Sequence, residues 1–451
     1  MRNNNRLVSF LVIGILLIPF LGLSQQPVQQ RDPEKTWNKA IELWEKQKYS
    51  AAQKYFSESS DNFSSMSDPR LIDSKYYEAY CALKLYNRDA EFRFIEFLND
   101  YPEDPRVENS YFILGKYNFE RKKYRQALDY FNQIELKRLE KNHHSEYYYF
   151  TGYSNFMEDN IEDAKSLFQH NNQSADPYYH PAMYYLAYID YLNENYQEAL
   201  NGFEKLKEVD GFSELVPYYI AQIYFLQGRY KELIEQAEPW FERASSKHKY
   251  EMARLLGESF FHEKQYENAL PYFNIYFNNS SGFSRDDYYA YGYTLYKTAD
   301  YKKAIVQFNR VINTDDALSQ VALLNLGDCF IKTDQLKSAQ VAFSRAAKLD
   351  FDQQVTEEAY FNYAKISYQL SFDPYDEAIK AFEDYLDTYP NSERKNEAYL
   401  FLLDVYMKTK NYQAAIDVIG KIKNPDNQVK KAFQLSVYNL AVENFLQENY
   451  D

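Results

Sequence analysis

The sequence predicts an all-α chain, a solenoid of helical hairpins that lean on one another in single file. Two observations carry that prediction. A Tyr-x-x-Ala-x-x-x-Phe pattern returns about every 36 residues, and turn-forming residues are scarce. Gly (12) and Pro (14) make 26 of 451 residues, half the roughly 12 % of average proteins, whereas sandwiches and barrels need many tight turns. Aromatic residues reach 18 %, with 47 Tyr and 32 Phe, beside 45 % hydrophobic and 26 % charged residues. That balance excludes a disordered chain and a polytopic membrane protein.

The chain opens with Met1-Arg2-Asn3-Asn4-Asn5-Arg6, an apolar run over residues 7–23, and Gly22-Leu23-Ser24 before Gln25-Gln26-Pro27. A basic start, an apolar middle and small residues before a polar stretch predict a signal peptide over 1–24, cut after Ser24, with 25–33 as a short linker. The alternative is an uncleaved anchor. No Cys follows the apolar run to take a lipid. Removing the segment moves the formal charge from −15 to −15 − 2 = −17. With no block of basic residues to neutralise phosphates, no nucleic-acid binding is expected.

The array is expected over 34–451. The pattern stands at Tyr49/Ala52/Phe56, Tyr124/Ala127/Phe131, Ile161/Ala164/Phe168, Tyr196/Ala199/Phe203, Tyr266/Ala269/Phe273, Tyr301/Ala304/Phe308, Leu336/Ala339/Phe343 and Tyr375/Ala378/Phe382. Looser copies are Tyr86/Ala90/Phe94, Tyr230/Leu233/Ala237 and Tyr412/Ala415/Ile419. Approximate copies therefore span 33–67, 71–105, 108–142, 145–178, 180–213, 214–248, 250–284, 285–319, 320–354, 357–393 and 396–432, with an incomplete twelfth at 434–451. Spacing above 34 residues places extra residues in loops such as Ser57 to Asp68.

Twelve residues before the Ala lies a second small residue, at Ala40, Gly115, Gly152, Ala187, Ala221, Gly257, Gly292 and Gly327. A large side chain follows four residues later, as at Phe119, Phe156, Tyr191, Phe225, Phe261 and Tyr296. Residues i and i+4 share a helical face, and the small one admits a neighbouring helix. Each unit thus reads as two amphipathic helices joined by about four polar residues, and its apolar stripes need the next hairpin for cover. Asp32-Pro33 and Asp68-Pro69 mark helix starts; the acidic pairs Asp286-Asp287, Asp315-Asp316 and Glu357-Glu358 are expected to begin helices as well. Ala441, Phe445 and Asn449-Tyr450-Asp451 fit the first helix and the Tyr of the twelfth copy, so a further segment or another chain is expected to cover that helix. Cys81 and Cys329, the only cysteines, lie seven repeats apart and should be buried free thiols.

With its small residue, aromatic, Tyr, Ala, Phe and late prolines at Pro102, Pro177 and Pro390, the chain resembles the tetratricopeptide-repeat family over residues 34 to 451. The resemblance implies a right-handed α-solenoid of about eleven helix-turn-helix repeats plus the truncated twelfth. It also implies that first helices line a concave face, which places Phe112, Tyr149, Tyr153, Tyr184, Tyr188, Tyr218, Tyr289 and Tyr293 on or near that face as the candidate partner-binding residues. The family's Lys/Asn/Arg clamp for a peptide carboxylate has no counterpart, because those places hold mostly Tyr, Phe, Glu or Asp, with Lys116 an isolated base.

Catalytic signatures fail: G-x-x-x-x-G-K-[ST], G-x-G-x-x-G, G-x-S-x-G and H-E-x-x-H do not occur. Six His and two Cys offer no ligand spacing, and His143-His144 reads as a linker pair, so no catalytic residue, metal or cofactor is expected. The expected function is a non-enzymatic interaction scaffold, periplasmic or associated with an outer-membrane complex. Its partner would be a neutral or basic protein or peptide, drawn by an acidic surface. The alternatives are a glycan-binding repeat protein, for which only three Trp are available, and a docking arm for a domain beyond residue 451.

Overall fold

The computed structural model describes residues 32–63, 65, 68–371 and 375–447. The signal-like segment 1–24, most of the linker, Phe372-Asp373-Pro374 and Asn449-Tyr450-Asp451 lie outside the described residues. Among the described residues there are 23 α-helices, one 3₁₀ turn at Lys141–His143 and no strand. The fold is an all-α solenoid of helical hairpins.

First and second helices alternate as pairs: α1 (Pro33–Glu45) with α2 (Tyr49–Asn62), α3 (Pro69–Lys84) with α4 (Ala90–Asp100), α5 (Val107–Glu120) with α6 (Tyr124–Phe131), and α7 (His144–Met157) with α8 (Ile161–Phe168). Then follow α9 (Tyr179–Leu192), α10 (Tyr196–Leu206), α11 (Val216–Leu226), α12 (Tyr230–Arg243), α13 (Ser246–His262), α14 (Tyr266–Asn279), α15 (Arg285–Lys297) and α16 (Tyr301–Val311). The last are α17 (Ala317–Lys332), α18 (Leu336–Leu349), α19 (Gln353–Leu370), α20 (Asp376–Thr388), α21 (Lys395–Lys408), α22 (Tyr412–Ile419) and α23 (Asn427–Leu446). The helices group into two units that divide within α9, one running to Ile189 and the other from Asp190.

Nine of the second helices begin at the Tyr, Ile or Leu that opens the repeat pattern. Two residues earlier the backbone turns left-handed, at Gln47, Lys122, Asp159, Glu194, Gly228, Lys264, Ala299, Asp334 and Lys410, with φ between 57° and 67°. Only one of these is Gly. The turn therefore carries a strain of order 1 kcal/mol at most copies.

Five hairpins close where a Gly of the first helix meets the Phe sixteen residues on. A methyl group at Gly115 would lie 2.3 Å from Phe131 Cε1, and one at Gly327 would lie 2.4 Å from Phe343 Cε1. Phe131, Phe168, Phe273, Phe308 and Phe343 are all fully buried. Burying such a ring contributes about 2–3 kcal/mol, and only a residue without a bulky side chain lets the helices approach over it.

Caps explain the starts. Asp32 and Asp68 accept the backbone N–H of Glu34 (3.0 Å) and Arg70 (2.9 Å). Ser284 and Asp287 form a reciprocal capping box, and Asp316 accepts from the Ser319 N–H at 2.8 Å. Two expectations are corrected. Glu357-Glu358 do not begin a helix: Asp352 takes the Gln354 and Val355 N–H groups, so α19 starts at Gln353, and Glu357 instead accepts from Tyr385 Oη at 3.0 Å. Residues 57–62 of the expected loop are helical: α2 continues to Asn62 and buries its own Ser59 and Ser60. Cys81 and Cys329 are buried free thiols, and burial pushes both up to about 12.

Candidate functional site: the aromatic faces of the first helices

In the first unit the predicted aromatic residues come from α5, α7 and α9. Tyr149 stacks on Tyr178 at 4.9 Å between centroids and also meets Phe168 and Tyr153. Burial pushes its hydroxyl up to about 12. Tyr153 lies against Phe119 (5.3 Å) and Tyr185 (5.0 Å), and Tyr184 stacks on Tyr188 at 6.0 Å with rings 4° from parallel. These tyrosines are half-buried. Phe112 departs from the expectation: at 2 % exposed it offers no contact area, because His143 stacks on it at 5.0 Å and Phe131 packs beside it.

Above Phe112 opens a cavity of about 300 Å³ between α3, α5 and α7, walled by Tyr80, Tyr86 and Tyr117. Tyr86 stands 68 % exposed at its edge. Lys116 lies over the Phe112 (5.5 Å) and Phe150 (5.4 Å) rings and pairs with Glu146, which also accepts from Tyr178 Oη at 3.0 Å. Burial, and then the Glu146 charge, hold the Tyr178 hydroxyl well above its usual range. Lys116 is thus paired rather than isolated. Asn109 and His143 line the same cavity, and each keeps one buried polar atom, Oδ1 and Nδ1, without a hydrogen-bond partner. Flipping the Asn109 amide, whose Nδ2 now donates to Tyr76 Oη at 3.1 Å, would still leave one of its atoms unmet. Buried groups in that condition each carry a desolvation cost of about 1–3 kcal/mol until a donor or acceptor reaches them.

In the second unit Tyr218 accepts a hydrogen bond from Gln222 Nε2 at 2.7 Å and lies 4.8 Å from the His248 ring. Burial, then the Glu251 charge, push it up to about 12. Tyr289 stacks on Tyr293 at 5.9 Å, and Tyr293 meets Phe261, Tyr266 and the Lys297 ammonium. All three predicted tyrosines are half-buried. Between them, α13 carries Arg254 and Glu258 at the register where α7 and α15 carry tyrosines. They pair at 2.8 Å, with Glu251 as a second partner of Arg254 at 3.2 Å. Burial raises Glu258 against the pull of Arg254.

One rule relates these contacts. The large residue four after the small one meets the residue one after the small one in the next hairpin. In three of the four copies where the first is Phe, the second is Tyr: Phe119–Tyr153, Phe156–Tyr188 and Phe261–Tyr293; after Phe225 the position holds Glu258, and the ring lies against Arg254 instead. Where the first is Tyr, its hydroxyl finds a polar acceptor: Gln222 from Tyr191 (3.0 Å), Asp328 from Tyr296 (3.2 Å) and Asp404 from Tyr368. The register that located the glycines could have found Gln222, Glu258, Asp328 and Asp404, had the position after each small residue been compared across copies. Among the described residues no group of three or more His, Cys, Asp or Glu is placed to hold a metal ion, and no helix is long and apolar enough to cross a membrane.

Comparison with known proteins gives one family match, to the tetratricopeptide repeat over residues 363–423. No curated protein matches the sequence. Among solved structures, the chain is similar to YrrB, described as a TPR protein with an unusual peptide-binding site, at 16 % identity over 44 % of this chain and 96 % of that one, with TM-score 0.36. It is similar to the C-terminal part of a TPR repeat-containing protein from Cytophaga hutchinsonii at 16 % identity over 55 % and 97 %, with TM-score 0.39. A tetratricopeptide repeat protein from Parabacteroides merdae matches at 15 % identity over 58 % and 98 %, with TM-score 0.34. A small residue with Phe sixteen positions on recurs in most copies, nine second helices start at the opening Tyr, Ile or Leu, and the stretch 363–423 matches the tetratricopeptide repeat.

Proposed function

We propose that this chain is a non-enzymatic scaffold of the bacterial cell envelope that captures a partner protein or peptide on the aromatic first-helix faces. The observation that carries the reading is the cavity above Phe112, where aromatic walls surround two residues with unmet buried polar atoms. A peptide side chain with an apolar body would fill the space against the aromatic walls. Support for the envelope comes from the signal-like 1–24 segment alone, and the fold is one that serves as a binding scaffold. The net charge of −15 favours neutral or basic partners.

The test is capture from an envelope extract on the immobilised chain, with the bound proteins identified by mass spectrometry. Tyr86→Ala with Tyr117→Ala should lower recovery of the captured partner about tenfold or more, and Lys116→Glu should act alike. Equal recovery by the wild type and these variants would overturn the site, and hits on a glycan array in place of proteins would overturn the partner class.

A further inference from the structure

We propose that the second helices α16 and α18 form a separate docking groove for a short acidic peptide segment that carries a large apolar side chain between its carboxylates. The two helices bear the same exposed stripe 35 residues apart: Lys302-x-x-x-Val306-x-x-x-Arg310 and Lys337-x-x-x-Val341-x-x-x-Arg345. Spacing of i, i+4, i+8 keeps each triplet on one helical face. Val306 is 55 % and Val341 60 % exposed. Between the helices lies a cavity of about 390 Å³ floored by Leu323, Leu326 and Phe330 of α17, with Val341, Lys337 and Arg345 on its rim.

Charge says what this groove accepts. The chain is acidic overall, at −15, yet α16 holds Lys302, Lys303 and Arg310 and α18 holds Lys337, Arg345 and Lys348, with no acid in either. Every other second helix carries at least as many acids as bases. Lys303 pairs with Asp300 at 2.8 Å. Among the described residues, Lys302, Arg310, Lys337, Arg345 and Lys348 form no ion pair, and Arg345 has only a long hydrogen bond to the Ile312 carbonyl, 3.4 Å. Exposed cations unmatched by carboxylates, set around an apolar floor, complement a ligand of the opposite sign with an apolar centre.

The flanks bound its length. The equivalent stripe is Glu267/Pro271/Ile275 on α14 and Asp376/Lys380/Asp384 on α20, and α20 as a whole has five acids against one lysine. A long polyanion or an anionic bilayer would extend over those acids, whereas a short segment stays on the two basic helices. The groove uses second helices and is independent of the aromatic first-helix sites, so the two readings fail separately.

A display library of random twelve-residue peptides selected on the full chain tests the proposal. Enriched sequences should place Asp or Glu around a Leu, Phe or Trp. Binding of a labelled winner, read by fluorescence anisotropy, should weaken at least tenfold with Lys337→Glu plus Val341→Asp, weaken likewise with Lys302→Glu plus Arg310→Glu, and fall as salt is raised. All four side chains are exposed, so circular dichroism should be unchanged, and Tyr117→Ala should leave the affinity unaltered. Winners without excess acid, binding indifferent to both double variants, or equal variant-sensitive binding of single-stranded DNA or phosphatidylserine vesicles would overturn it.

Discussion

In the first unit, successive hairpins meet ring on ring; in the second, the same positions mostly join a tyrosine hydroxyl to a polar side chain. Phe119 on Tyr153 and Phe156 on Tyr188 typify the former. Tyr191 to Gln222, Tyr296 to Asp328 and Tyr368 to Asp404 typify the latter. The hairpins themselves close alike in both, with Phe168 under Gly152 and Phe343 under Gly327. One backbone arrangement thus tolerates two chemistries between repeats while the small-to-Phe closure inside most repeats stays the same. Differences in response to mutation, pH and salt should therefore arise between hairpins and not within them.

The largest expected effect tests what the units share. Phe168→Ala and Phe343→Ala should each destabilise their unit by about 3–5 kcal/mol in denaturant titrations, and a twofold disparity would show that the closures are not equivalent. The next tests what divides them. Tyr296→Phe leaves the Asp328 carboxylate without its hydroxyl donor and should cost about 1–3 kcal/mol at neutral pH. Burial raises Asp328 above the usual carboxylate range, so the folded chain binds this proton more tightly than the unfolded chain. Stability therefore declines as pH climbs from the ordinary Asp value through the raised one, and the cost of Tyr296→Phe should shrink as the medium is acidified and the carboxylate protonates. Phe119→Leu in the first unit should cost about 0.5–1.5 kcal/mol through lost ring contacts, equally at every pH that leaves the fold intact. Smallest is the turn: Ala299→Gly should stabilise by about 0.5–1 kcal/mol by releasing the left-handed strain, and Gly228→Ala should lose a similar amount, both read from denaturation midpoints.

Hairpin boundaries were legible because their causes are local. A Tyr at a helix start, an Ala three residues on and a Phe four further all act within one helix, and the Gly-to-Phe distance of sixteen residues stays within one repeat. What the pattern did not reveal depends on neighbours in the next repeat. Phe112 shares its register with Tyr149 and Tyr289, yet His143 covers it, and nothing in α5 announces that stacking. Lys116 reads as unaccompanied until Glu146, thirty residues on, is brought to it. Glu357-Glu358 look like a helix start because such pairs often are, but Asp352, five residues before Glu357, already caps the helix by taking the Gln354 and Val355 N–H groups. The basic stripes of α16 and α18 were written in the sequence from the outset; they become a site only because α17 lays an apolar floor between them.

Within each unit, the substantial contacts of every helix are with elements one or two steps away along the chain. Little loop entropy must be surrendered before such contacts reward the chain, so assembly should be rapid and can begin at any hairpin. By the same token, damage has a short reach: a nick or a cavity loosens its own hairpin and those beside it, while distant ones keep their grip on whatever they hold.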